Sequence, residues 1–369
     1  MKILTILGTR PEIIRLSSII KRLDKNFNHI LVNTGQNFDV NLNKIFFNQF
    51  KLKKPKYNLK CRNNSPAVFL ADLFVKIENV IKKERPNAVL VLGDTNSALA
   101  TIVAKKYKIP IFHIEAGNRC FDQRVPEEIN RKIVDHISDI NLTYSNYASQ
   151  NLANEGLQKD RIIKVGSPLL EVFEDNSHSI EKSNILNKLK VKQNHYILAS
   201  IHREENIENI KNLIEIFNSF KFFIDKYKIP LIFSTHPRTR KKLLKYKKLN
   251  TKNILFLKPF GYFEFVKLMK NAKFILSDSG SISEETSILS LPAVNIRNVN
   301  ERQESMEQGT IIMSGLKKEN IVKSVDIMLK NYGKEKNIYP DYSYNDVSTT
   351  VVNIIQSYTH YIMSKTWFK

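Results

Sequence analysis

Short runs of β-branched and aliphatic residues alternate along the chain with longer stretches whose apolar positions recur every three or four residues. Runs this brief and continuous suit strands buried on both faces, and their alternation with helical stretches predicts parallel strands joined by covering helices. The predicted strands of the first half are KILTILG, HILVNTG, NAVLVLGD, IPIFHIEAG, DINLTYS and RIIKVGS. They end on small or acidic residues, the types that build ligand sites at the carboxyl edge of such sheets. From Asp175 to Asn194 the chain turns polar, and HYILASI then begins a second series that continues with IPLIFSTHP, NILFLKP, KFILSDSG and LPAVNIR. The expected fold class is therefore α/β, with two doubly wound Rossmann-like domains facing a cleft. The domains are placed at residues 1–170 and 171–346. An amphipathic helix within 347–369 either completes the second domain or crosses back onto the first.

Length agrees with this division, since 369 residues at about 150 per domain give two or three domains. The balance of apolar and charged residues excludes a disordered chain or a coiled-coil rod. No apolar run reaches the roughly 18 residues that span a bilayer, and MKILTILGTR is too soon interrupted for a signal peptide. With only Cys61 and Cys120 there is neither a disulfide framework nor a CxxC metal pattern. These observations point to a cytoplasmic protein. The net charge of +22 raises nucleic acid as a partner, but the excess lysine is scattered rather than gathered beside aromatics, so that partner is not expected.

The candidate chemistry sits where strands end. KILTILG runs into Thr9-Arg10-Pro11-Glu12, with proline suited to a first helical turn, so the amides of that helix end offer an anion site and Arg10 a fork for phosphate or carboxylate. Alternatively, Arg10 pairs with a surface acid. The turn Ser277 to Ile282 is a second phosphate candidate, its small residues letting backbone amides approach a diphosphate while Ser279 and Ser281 add hydroxyls. It also reads as a plain Ser/Gly helix cap. Asp94, Glu115, Glu127 and Glu128 arrive from three segments of the first half, and His202, Arg203, His236 and Arg238 end strands of the second. Together they suggest general acid and base work on a ligand held between the domains. No GxGxxG favours a dinucleotide, and the histidines lack a metal spacing.

In order, GTRPEII, GDTNS, HIEAGNR, VPEEINR, GSP, HREEN, THPRTR, SDSGSISEE and NERQE resemble the non-hydrolysing UDP-N-acetylglucosamine 2-epimerase family from Gly8 to about Leu316. The resemblance implies the glycosyltransferase-B architecture, a UDP-sugar substrate, no cofactor or metal and a homodimer. It also implies an elimination: a base takes the C2 proton as UDP leaves C1, and UDP adds back after protonation of the opposite face. Residue by residue it implies catalytic roles for Asp94, Glu115, Glu127 and His202. Asp94 and Glu127 would handle protons, Glu115 would react or position, and His202 would stabilise the leaving phosphate. For UDP it implies Arg10, Ser279, Gly280, Ser281, Glu285 on the ribose, Arg302 and Phe265 near uracil. Arg15 stands where the family usually has lysine, Ser281 where it has glycine, and TGQN where it has TGQH. These departures, with Phe38 and Asn118, look like the branch that turns UDP-2-acetamido-2,6-dideoxy-L-talose into UDP-N-acetyl-L-fucosamine for bacterial capsule or O-antigen lipopolysaccharide. The alternatives are an epimerase of UDP-N-acetylglucosamine itself and, more distantly, a glycosyltransferase of the same fold.

Overall fold

The computed structural model describes residues 1–36, 40–123, 125–235, 240, 243, 252–333 and 339–368, without the side chains of 40–44, 204 and 205. His236, Arg238, Asn37 and Phe38 lie outside the described residues. The chain forms two compact units, Met1–Asp175 with Pro340–Lys369, and Asn176–Tyr339.

The first unit is built on a seven-stranded sheet, every pair of neighbours parallel. Its strands are β1 (Lys2–Leu7), β2 (Asn28–Asn33), β3 (Tyr57–Asn58), β4 (Ala88–Leu92), β5 (Ile111–Ala116), β6 (Ile140–Thr143) and β7 (Ile162–Lys164), in the order β3-β2-β1-β4-β5-β6-β7. β4 reads Ala-Val-Leu-Val-Leu and is buried throughout, as a strand covered on both faces must be. The helix Arg10–Asn26 follows β1; its Ile13, Leu16, Ile19, Ile20 and Leu23 are buried, a stripe at helical spacing. The last helix, Val347–Thr366, packs against it and buries Val351, Val352, Ile355 and Ile362.

The second unit carries β8 (Ile197–Ser200), β9 (Leu231–Ser234), β10 (Ile254–Leu257), β11 (Ile275–Ser277), β12 (Ala293–Asn295) and β13 (Ile312–Met313), in the order β10-β9-β8-β11-β12-β13 and again parallel. Its core is rich in phenylalanine from the helix Ile210–Tyr227, with Phe223 edge-on to Phe274 at 5.2 Å between ring centroids. Two doubly wound parallel units are the expected fold class. Among the described residues no helix is long and apolar enough to cross a membrane.

Candidate active site

In a doubly wound sheet ligands collect outside the carboxyl ends of the strands where the strand order reverses, because loops diverge there and leave a crevice. In the first unit the order reverses between β1 and β4. β1 runs into Gly8, Thr9 and Arg10, β4 into Gly93 and Asp94, and neighbouring β5 ends at Glu115 and Ala116. Three predicted residues, Arg10, Asp94 and Glu115, are thereby set on adjacent strand ends.

Glu115 has a φ of 67°, the left-handed region that costs a residue with a long side chain, and the β5–β6 register shifts between Ile114 and Ala116. This irregularity re-aims the side chain at the strand end. Its carboxylate lies close enough to β4 that a Cβ on Gly93 would meet Oε1 at 3.9 Å. Oε2 lies 3.4 Å from Nε of the buried Arg15, whose guanidinium also sits 5.7 Å over the Tyr144 ring. Asp94 makes a close ion pair with Arg131, and Arg131 Nη1 donates to the Asn118 carbonyl at 3.2 Å. Asn130 Nδ2 donates to the Asp94 carbonyl at 3.0 Å. Each rim carboxylate thus faces a buried guanidinium that fixes its direction.

The neighbours Glu127 and Glu128 open the helix Pro126–Ile137 but do different things. Glu128 is buried and accepts from the backbone N–H groups of Cys120 at 3.1 Å and Phe121 at 3.3 Å, pinning the preceding loop. Glu127, a helical step of about 100° away, stays half-exposed.

The loop into the helix at Arg10 is held by an acid of the helix itself: Glu12 Oε2 accepts from the N–H of Gly8 at 3.0 Å, the N–H of Thr9 at 2.7 Å and the Thr9 hydroxyl at 2.7 Å. Its Oε1 accepts from the Thr95 hydroxyl at 3.1 Å. Burial pushes this carboxyl up to about 7, against the opposing pull of those hydrogen bonds. The chain's own acid thus takes the two amides that lead into the helix, those of Gly8 and Thr9.

In the second unit the order reverses between β8 and β11, whose ends carry His202-Arg203 and Asp278-Ser279-Gly280-Ser281. Asp278 is fully buried and accepts from the N–H of His202 at 3.0 and 3.1 Å, the N–H of Arg203 at 2.9 Å and Asn206 Nδ2 at 2.9 Å. The His202 imidazole itself is exposed. Ser279 and Ser281 hydroxyls lie 3.0 Å apart and bond to each other. Arg302 Nε donates to the Gly280 carbonyl at 3.2 Å, and its Nη2 lies 3.2 Å from Glu284. A Cβ on Gly280 would come within 3.3 Å of Arg203 Nη2 and of Glu301 Oε2, so these two side-chain ends crowd the turn closely. Glu285 lies within the first turn and a half of the helix Ile282–Leu289 and is buried. Phe265, on the helix Tyr262–Asn271, packs half-buried against the cluster that contains Ile282.

Residues 21–356 match the family model described as UDP-N-acetylglucosamine 2-epimerase. The chain belongs to this epimerase family. It is similar over its whole length, and over the whole of the other chain, to the structure of UDP-N-acetylglucosamine 2-epimerase from Rickettsia bellii, at 45% identity and a TM-score of 0.93. A structure of UDP-GlcNAc 2-epimerase from Methanocaldococcus jannaschii in complex with UDP-GlcNAc and UDP is 38% identical, with a TM-score of 0.89, covering 96% of this chain and 99% of that one. UDP-2,3-diacetamido-2,3-dideoxy-D-glucuronate 2-epimerase of Pseudomonas aeruginosa is 35% identical over 88% of this chain and 91% of its own.

Within the epimerase, then, one rim gathers Arg10, Arg15, Asp94 and Glu115 with Glu127 at a neighbouring helix start, and the other gathers His202, Ser279, Gly280, Ser281 and Arg302. Sequence reading assigned no part to Glu12, Arg131, Asp135 or Glu301, nor to Asp278 beyond its place in the serine turn. For Arg131 and Asp278 the partners are far along the chain, 37 residues for Asp94 with Arg131 and 76 for His202 with Asp278, whereas Glu12 bonds to Gly8 and Thr9, within four residues of itself. For Glu12, Arg131, Asp278 and Glu301 the signal present was an acid or an arginine inside the quoted motifs, while Asp135 lies outside them.

Proposed function

We propose that this protein inverts C2 of UDP-2-acetamido-2,6-dideoxy-L-talose to form UDP-N-acetyl-L-fucosamine, by elimination and re-addition of UDP. In the forward step a carboxylate removes the C2 proton, the electron pair forms the C1–C2 double bond, and the C1–O bond breaks to release UDP. Re-addition reverses this with the proton delivered to the opposite face. Asp94 and Glu127 are the proton-handling groups of this reading, and Glu115 holds the sugar or shares the proton work. Ser279, Gly280, Ser281 and Arg302 hold the diphosphate, His202 stabilises it as it departs, and Arg10, Glu285 and Phe265 complete the contacts to UDP.

The observation that carries the reaction is the pair Asp94 and Glu115, raised on adjacent strands at the reversal point and each facing a buried arginine. A strained φ at Glu115 supports a working role, since such strain persists where the surrounding structure imposes it. The substrate branch is supported by Arg15 beside Glu115 and by Ser281 on the serine turn, with Asn118 a further departure on the segment that follows Glu115. A site shaped for a 6-deoxy sugar leaves a 6-hydroxyl unpaired, at a cost of about 1–3 kcal/mol, or roughly ten- to a hundredfold in kcat/KM. The second reading, UDP-N-acetylglucosamine as substrate, is favoured by the names of the Rickettsia bellii and Methanocaldococcus jannaschii proteins.

Incubation with each UDP-sugar in deuterated water, with NMR of C2, separates these readings. Deuterium entering C2 of either sugar supports the epimerase mechanism, and a competition assay giving UDP-N-acetylglucosamine the higher kcat/KM sinks the fucosamine branch alone.

A further inference from the structure

Behind the first rim lies a fully buried pair that the reaction scheme does not use. His113, two residues before Glu115 on β5, bonds through Nε2 to the Gly93 carbonyl at 2.8 Å, which requires the proton on Nε2. Its Nδ1 lies 2.9 Å from Asp135 Oδ1 on the helix Pro126–Ile137. Asp135 in turn accepts from the Gly117 N–H at 3.3 and 3.2 Å and from Arg119 Nη1 at 2.7 Å. Arg119 completes the frame with a two-pronged pairing to Glu155, 2.7 Å at each prong.

The backbone points held are telling. Gly93, with φ of 70°, immediately precedes Asp94, and Gly117, with φ of 80°, follows Glu115 by two residues. Gly117 is also pressed so close to the helix Asn146–Asn154 that a Cβ there would sit 2.3 Å from the Ala148 carbonyl oxygen. Neither His113 nor Asp135 has any exposed surface, so neither touches a ligand directly.

We propose that His113 and Asp135 are positioning residues: His113, on β5, holds the Gly93 carbonyl beside Asp94, and Asp135 holds the Gly117 N–H beyond Glu115, so that the two carboxylates keep a fixed spacing. This rests on the epimerase reading. Misplacement of a reacting group by about 1 Å can cost a hundredfold in rate without loss of binding.

Three variants test it. In His113→Gln the side-chain amide reaches the place of Nε2 and still donates to Gly93; in His113→Asn it reaches only the place of Nδ1. Asp135→Asn keeps shape and removes the charge. The expected result is a ten- to hundredfold fall in kcat for His113→Asn and Asp135→Asn, KM and UDP affinity within about threefold of the wild type, and rescue in His113→Gln. Equal behaviour of the two His113 variants overturns the proposal, as does a fall in kcat accompanied by loss of UDP affinity and a lowered melting temperature. Loss of the fold in all three overturns it too, since the pair would then hold the domain rather than the reacting groups. The wild type, assayed for C2 exchange alongside, keeps this outcome separate from a failure of the epimerase reading itself.

Discussion

Glu12 offers a test of how the first rim is assembled. Its carboxyl is 1% exposed, and burial raises its pKa from 4.5 to about 7. A carboxyl that binds its proton more tightly folded than unfolded contributes stability that is full below its unfolded pKa and is lost as the pH rises through its folded pKa. Stability from this group is therefore greatest below pH 4.5 and is lost as pH rises to about 7. A shift of this size corresponds to about 3 kcal/mol at 1.36 kcal/mol per unit.

Glu12→Gln removes the titration while keeping the geometry. Its carbonyl oxygen can take the place of Oε2 and accept from Gly8 and Thr9, and its amide can donate to the Thr95 hydroxyl, which is free to turn. The chain has one tryptophan, Trp367, and it belongs to the first unit, where it sits under Lys105 and Lys108. Urea unfolding followed by Trp367 fluorescence thus reports that unit. The unfolding free energy of the variant minus that of the wild type should climb by about 3 kcal/mol between pH 4.5 and pH 8, with other titrating groups cancelling in the difference. A difference that stays flat across this range would refute a buried, proton-binding Glu12.

Asp94→Asn and Glu127→Gln should each lower turnover by about 10²–10⁴-fold while UDP still binds; near-normal rates in both would remove them from the chemistry. Asp94→Asn should also lose stability, because Arg131 is left buried without its charge partner, whereas the half-exposed Glu127→Gln should not. Millimolar UDP should raise the melting temperature, and Arg302→Ala, which also removes the bond to the Gly280 carbonyl, should weaken the shift; an unmoved transition in the wild type would exclude the nucleotide assignment. Asp278→Asn should cost about 1–3 kcal/mol, since an amide nitrogen would face some of the donors that now share the carboxylate, and unchanged stability and turnover would deny it a part in placing His202.

The parallel strands were legible because burial on both faces forces continuous apolar runs such as Ala88–Leu92, and a strand's end then marks where a rim residue must lie. β3 and β13 escaped, since two residues at a sheet edge carry no pattern. The rims themselves were readable for the same reason as the strands: Asp94, Glu115, His202 and Ser279 all lie within two residues of a strand's end. What could not be read was the division of labour among acids. Glu127 and Glu128 are the same residue side by side, and only the phase of their helix decides that one is spent on Cys120 and Phe121 while the other remains at the surface. The loop before Arg10 is likewise held by Glu12, a local bond to Gly8 and Thr9 that sequence spacing allows but does not demand.

That division has a physical logic. A rim carboxylate is useful only if the loop beneath it does not move, yet such loops leave strands with backbone amides that no ladder satisfies. Here buried acids satisfy them: Glu12 the amides of Gly8 and Thr9, Glu128 those of Cys120 and Phe121, Asp135 that of Gly117, and Asp278 those of His202 and Arg203. Acids are suited to this because one carboxylate accepts from several donors at once, so a single side chain can hold two or three loop amides. Burying such a charge is costly, and the cost is visible at Glu12, where hydrogen bonding only partly offsets burial. The motifs are therefore dense in acids for two unrelated reasons, reaction at the rim and restraint beneath it. Substitutions at Glu12, Glu128 and Asp278 should move stability and turnover together and those at Asp135 turnover through position, while those at Asp94 and Glu127 should strike turnover at the chemical step, with a loss of stability besides only at Asp94.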